Sequence, residues 1–222
     1  MKILKLLIIT LLIIITSCNK KNVKLPVLNV GGIQDTIYDN TKVWMFFKLQ
    51  NNDTIVELNR NNTVSSTNWI FNIDKRLPLH QVIPHLKKLI EKREKPAMHP
   101  KDIEDTNFFS YVDSDSNTLS MVQFDVINYI TDKTIVKTNL VNDSLTKHVF
   151  IDYQKNALTV NDSMIVIDQL ENYLIMKSDT LKLNLHLSFD KHLSYHNYLH
   201  LKAILQNNEN KHIIIDKHEF IK

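Results

Sequence analysis

Hydrophobic and polar residues alternate most strictly between Leu181 and Asp190. Leu181, Leu183, Leu185, Leu187 and Phe189 hold one parity, and Lys182, Asn184, His186, Ser188 and Asp190 hold the other. A period of two predicts a strand with one face on a core and the other in water. Asp190-Lys191-His192-Leu193-Ser194 then turns the chain, with Ser194 placed to cap a following helix. After the polar break Gln206 to Asn210, His212-Ile213-Ile214-Ile215 reads as a second strand. A strand, helix and strand of this length form a crossover unit, so the two strands are expected to be parallel and adjacent.

The same reading extends along the chain. Val43 to Leu49, Thr54 to Leu58 and Trp69 to Ile73 have strand composition, with Gln50-Asn51-Asn52-Asp53 as the first turn. Leu79, Val82, Ile83, Leu86, Leu89 and Ile90 keep helical spacing behind Pro78, and Pro84 implies a kink or a late start. Phe108 to Val112 is strand-like, and Asp113 to Asn117 is a turn. Leu119, Val122, Val126, Ile127 and Ile130 suggest a helix, and Thr134-Ile135-Val136 a strand. Past the polar segment Asn139 to Lys147, strands are expected at Val149 to Ile151, Ala157 to Val160 and Met164 to Val166. Asn161-Asp162 supplies a tight turn between the last two. Asp168 and Glu171 have the spacing of a capping box before the helix of Leu170, Tyr173 and Leu174.

These elements predict an α+β chain of two-layer α/β modules, with helices on one face of a mixed sheet and two similar units in tandem. The expected divisions are 1–17, a tether at 18–40, a first module at 41–140 and a second at 146–222. Two registers relate the units. One pairs Asp74 to His80 with Asp190 to His196, four identities in seven, but asks for a strand near Pro96 to His99. The other pairs Asp113 with Asp190 and brings strands at Thr134 and His212, 21 and 22 residues on, into step. Pattern outweighs identity, so the second register is preferred.

Two features of composition narrow the function. Gly31 and Gly32 are the only glycines, so no dinucleotide fingerprint, P-loop or serine-hydrolase elbow exists in the chain. Met1 to Ser17 is apolar apart from Lys2, Lys5 and Thr10, and ends at Ile15-Thr16-Ser17-Cys18 with the only cysteine. The run is short for a spanning helix and reads as a signal peptide. The tetrapeptide resembles a bacterial lipobox, in which Cys18 is acylated and opens the mature chain. The competing reading is a retained membrane anchor with Cys18 incidental. Acylation would leave no free thiol for disulfides or catalysis. Cleavage lowers the basic count from 27 to 25 against 24 acidic residues, a net charge of +1. That balance offers no electrostatic case for nucleic acid. The residues after Cys18 are basic rather than acidic, and a periplasmic, lipid-anchored location follows.

Candidate chemistry is sparse. His192, His196 and His200 recur every four residues, and His196 and His200 share a helix face suited to zinc or copper. Tyr195, Tyr198, Leu201 and Leu205 define the inner face, which turns these histidines toward solvent as a weak metal pair at most. Asp113, Asp115 and Asn117 match the start of a calcium loop, but Thr118 replaces its glycine and Phe124 its bidentate glutamate. Asp102, Glu104 and Asp105 form no demanding pair, Lys87 to Lys95 is a solvated helix end, and Trp44, Phe46 and Phe47 are assigned to core. No catalytic residue and no cofactor is called for.

Through Leu158 to Val166, Gln169-Leu170-Glu171 and the turn Phe189 to Tyr195, the second unit resembles the periplasmic domain of ExbD/TolR-type biopolymer transport proteins. Leu158 to Val166 with Gln169-Leu170-Glu171 looks like that family's strand, Asn-containing turn, short strand and first helix. Phe189 to Tyr195 is similar to its Asp-Lys-x-Val-Pro-Tyr turn, with Ser194 in place of proline. The turn residues carried over are Asp190, Lys191, Leu193 and Tyr195. Val23-Lys24-Leu25-Pro26 resembles the family's tether. The resemblance implies an envelope-facing interaction role. Proton-coupled members carry an aspartate in their membrane helix, and Met1 to Ser17 has no acidic residue. The expected partners are the membrane through Cys18 and an energy-transduction complex, another envelope protein, peptidoglycan or a second copy through an edge strand. A His-rich metal-binding or enzymatic lipoprotein is the alternative.

Overall fold

The computed structural model describes residues 21–59, 64, 66–93, 106–124, 127–131, 145–179, 181–208 and 210–222. Over these residues the chain is mixed α/β, with two six-stranded mixed sheets and three helices. The first sheet holds β1 (Val27–Leu28), β2 (Asn40–Gln50), β3 (Asp53–Leu58), β4 (Asn68–Ile73), β5 (Asn107–Asp113) and β6 (Thr118–Phe124). Helix α1 (Leu79–Arg93) crosses from β4 to β5, which lie parallel and adjacent. The second holds β7 (Asn128–Thr131), β8 (Thr146–Gln154), β9 (Ala157–Val160), β10 (Ser163–Ile165), β11 (Lys182–Phe189) and β12 (Ile213–Ile221). Helix α2 (Ile167–Ser178) precedes β11, and α3 (Tyr195–Gln206) crosses from β11 to the parallel β12.

Sheet order runs β3-β2-β4-β5 in the first and β9-β8-β11-β12 in the second, with matching directions. β3 and β9 are antiparallel to their neighbours, and the remaining contacts are parallel. The turns before the crossover helices match bond by bond. The Asp74 amide donates to Met45 and the Asp190 amide to Tyr153, both at 3.0 Å. Leu77 and Leu193 donate to the carbonyls of Asp74 and Asp190. The amides of Arg76 and His192 donate to the Asp74 and Asp190 carboxylates. This is the register that pairs Asp74 with Asp190, set aside above for want of a strand near Pro96. The strand it needs is β5, 33 residues after Asp74 against 23 for β12 after Asp190, so the first unit carries a longer connection.

The preferred alternative fails at Asp113, which ends β5 and opens a hairpin rather than a helix. Asn117 adopts φ 53°, and β6 pairs with β5 along its whole length, from Asp113↔Thr118 to Asn107↔Phe124. The spacing of Leu119, Val122, Val126, Ile127 and Ile130 suggested a helix because residue types on β6 do not follow its two faces: apolar Leu119 is exposed and polar Ser120 is buried. Ser120, Val122 and Phe124 are buried on one and Met121 on the other, so clean alternation is lost. Thr134 to Val136 lies outside the described residues.

Three further expectations change. Residues 24–33 form a strap rather than a free tether. The carbonyls of Pro26 and Leu28 accept from Val112 and Ser114, Ile33 bridges Met121, and Leu28 is buried. A Cβ at Gly32 would run into the Tyr111 hydroxyl and come within 2.8 Å of the Met121 carbonyl, so glycine is required there. Strand β7 pairs with β12, so the second sheet recruits chain from before residue 140. The cap of α2 is Val166, without a side-chain bond, and Asp168 sits inside the first turn, where its charge complements the helix dipole. Ser194 caps α3 as expected, accepting from the Asn197 amide at 3.3 Å. Helix α1 runs through Pro84 without interruption.

One apolar core joins the sheets, from Val43 and Phe71 through Leu86 and Leu199 to Leu185. Helix α3 lies inside it, and buried Lys202 pairs there with buried Glu219 at 2.5 Å. The Tyr198 hydroxyl donates to Glu219 at 2.8 Å and lies 3.2 Å from that of Tyr129, while the Lys202 ammonium sits 5.1 Å from the Phe124 ring centre. The group thus ties α3, β12 and β7 to β6 of the other sheet. Lys202→Met leaves a buried carboxylate without its cation, and is expected to cost about 3–5 kcal/mol in urea unfolding. Lys202→Met with Glu219→Leu should recover most of that loss. Additive losses would show that the pair is not a closed unit.

Candidate functional site

Exposed apolar side chains gather where β10 meets α2. Asn161 and Asp162, with φ of 47° and 66°, form the two-residue turn that aligns β9 with β10. Val160↔Ser163 and Leu158↔Ile165 are the bonded pairs of such a hairpin. The N–H and C=O of Met164 therefore point away from β9, toward the open edge of the sheet. Helix α2 spends Leu170, Leu174 and Ser178 on the core, at four-residue spacing. Its other side carries Ile175 and Met176 to the surface, and Met164 and Met176 are 79% and 66% exposed. Between strand and helix lies a groove of about 390 Å³ lined by Met164, Ile165, Gln169, Asn172, Tyr173 and Met176, without a charged side chain. Flexible methionines and two amides beside an unpaired strand edge suit an extended, uncharged peptide.

A second constellation crosses the outer face of the second sheet. His186 Nδ1 lies 2.9 Å from the Asp216 carboxylate and its Nε2 lies 2.8 Å from His148 Nδ1. His218 Nδ1 takes the other Asp216 oxygen at 2.9 Å. With His186 donating to Asp216, its Nε2 accepts from His148, which fixes both tautomers. Phe150 stacks on His186 at 5.2 Å. Burial pushes the His186 pKa down further than Asp216 raises it. Burial also opposes ionisation of Asp216, but the bonds from His218 and His186 outweigh it and hold its pKa below the ordinary value. Sequence reasoning missed this array because it needs the register of three strands. Its one local signal was a run of histidines at outward strand positions. His186 and Ser188, expected in water, are buried.

The family-motif turn is structural. Leu193 and Tyr195 are buried core residues, Lys191 is exposed, and Asp190 holds the turn through the His192 amide at 2.7 Å. His196 and His200 do not stand on a free polar face. Helix α3 packs against α1, α2 and β6, both rings are half-buried, and His196 Nδ1 is sequestered without a hydrogen-bond partner. Burial lowers the pKa of each ring, which keeps both neutral. Their ring centres are 6.2 Å apart, and among the described residues no three His, Cys, Asp or Glu side chains are grouped to hold a metal. Asp113 binds the Asp115 amide and Ser116, and Asn117 makes the hairpin's left-handed turn. Trp44 and Phe46 stack on the outer face of β2, half-buried rather than in the core, while Phe47 lies 4.0 Å beneath the Arg76 guanidinium. Cys18, Asp102, Glu104 and Asp105 lie outside the described residues. No family model, curated protein or solved structure matches the chain.

His186, His196 and His200 are held neutral by burial, so the unfolded chain binds protons first as pH falls below about 6.5. Stability is therefore expected to drop between about pH 7 and 5 in urea titrations, before any carboxylate is protonated. His186→Gln should flatten that slope, whatever its effect at pH 7.5. An unchanged slope would show that His186 binds its proton equally in the folded and unfolded states.

Proposed function

We propose that this chain is a lipid-anchored protein of the cell envelope, acylated at Cys18, with a binding or scaffolding role on the periplasmic side. Two tandem α/β units arose by duplication in this reading, supported by the common strand order and the matching Asp74 and Asp190 turns. The second unit serves as an ExbD/TolR-like module, accessory to an energy-transduction system. Met1 to Ser17 contains no acidic residue, so that segment does not supply the membrane aspartate of the proton-driven members. The observation that carries the binding role is the open β10 edge with its uncharged, methionine-rich groove. Its occupant is an extended apolar segment of an envelope protein, added as a further strand. An enzymatic or metal-carrying role would draw on the His148–His186–Asp216–His218 array. There both ring nitrogens of His186 are already engaged, so that ring offers no free lone pair to a ligand.

A photo-crosslinking residue at position 176 in intact cells tests this reading. It is expected to trap a discrete envelope protein, and the same residue at exposed Lys88 is not. Met164→Pro removes an edge N–H that β9 does not use, and should abolish the adduct while leaving near-ultraviolet circular dichroism unchanged. Equal adducts from both positions, or an adduct indifferent to Met164→Pro, would overturn it.

A further inference from the structure

Strand β2 carries an unusual outward face. Its inward positions Thr41, Val43 and Met45 are buried. The outward positions are Lys42, Trp44, Phe46 and Lys48, a basic residue at each end and two aromatic rings between, 6.3 Å apart and 16° from parallel. Both lysines are exposed and both rings half-exposed. Lys21, where the described chain begins, comes to this same face. Its ammonium lies 6.0 Å from the Phe46 ring centre and pairs with Glu57 of β3. Cys18 is three residues earlier, and three residues reach at most about 11 Å. A lipid on Cys18 therefore holds Lys21 within about 11 Å of the bilayer surface, close enough for this face to reach the headgroups. Amphipathic rings and lysines are the side chains that settle at such a boundary, and three lysines against Glu57 and Asp53 leave the face net positive.

We infer that the Lys42–Trp44–Phe46–Lys48 face of β2 is a docking surface for anionic phospholipid headgroups, fixing how the anchored protein sits on its membrane. The inference rests on the lipid-anchor reading, because the anchor supplies the short reach. A second copy or another protein could also cover an aromatic face. The position of Lys21 and the charge on the strand commit this one to lipid.

The test uses the full chain, purified from membranes into nanodiscs of phosphatidylglycerol with or without brominated acyl chains. Trp44 and Trp69 are the only tryptophans, and Trp69 is fully buried under Arg93. Brominated lipid is expected to quench part of the fluorescence, and Trp44→Phe to remove that part. Lys42→Glu with Lys48→Glu should also abolish quenching while the protein still co-elutes with the nanodiscs. Co-elution without Trp44 quenching overturns the docking and leaves the anchor standing. A blue-shifted but unquenched Trp44 likewise overturns it, in favour of a protein partner. If co-elution fails, or survives Cys18→Ala, the acyl anchor itself is wrong and the docking falls with it.

Discussion

The first amides of α1 and α3 are capped by each other's turns. Leu79 and His80 donate to the carbonyls of Leu193 and Lys191, at 3.0 and 2.8 Å. Tyr195 and His196 donate in return to Leu77 and Lys75, at 2.7 and 3.2 Å. Helix N-termini leave donors that the helix cannot satisfy, and a buried donor without a partner costs about 1–3 kcal/mol. Leu79 and Tyr195 are fully buried, so water is no substitute. Neither unit satisfies its own helix start alone. Pro78 and Ser194 face each other at the centre of this exchange, one without an N–H and the other with a capping hydroxyl.

The surrounding structure elaborates that exchange. Lys24 and Lys222 play equivalent parts, their carbonyls accepting from Lys75 and Lys191 beside the two turns. In the first unit, Asp74 is buried between the Lys24 amide and the Arg76 guanidinium. Burial opposes its ionisation, yet those bonds outweigh it and keep its pKa below the ordinary carboxylate value. On the far side of α3, Lys202 reaches Glu219 and the Phe124 ring, closing the joint between the sheets. The centre is thus tightly specified, and the open features lie at the surface: the β10 edge with its groove, and the outward face of β2.

Local pattern was legible, as was the parallel pairing of β11 with β12 across one crossover helix, and the other long-range pairings were not. The parity of Leu183, Leu185, Leu187 and Phe189, the Ser194 cap and the Asn161-Asp162 turn are each decided within a few residues, and the strand, helix start and hairpin follow them. The β6 hairpin was misread because exposed Leu119 and buried Ser120 break the alternation of residue types along the strand. The histidines of α3 were misplaced for a related reason: a helix enclosed by α1, α2 and β6 has no polar face to find. The Asp74 register carried its signal in four identical residues and was obscured by the longer connection before β5. Neither the His186–Asp216 array nor the β10 edge can be read without knowing which strands are neighbours.

Native-state hydrogen exchange of the Leu79, His80, Tyr195 and His196 amides tests most directly whether the two units are one body. Reciprocal capping predicts that all four exchange only through global unfolding, with a common free energy equal to that from urea denaturation. Exchange of one pair through a cheaper opening, while the other pair stays protected, would contradict it and show that the units stand independently.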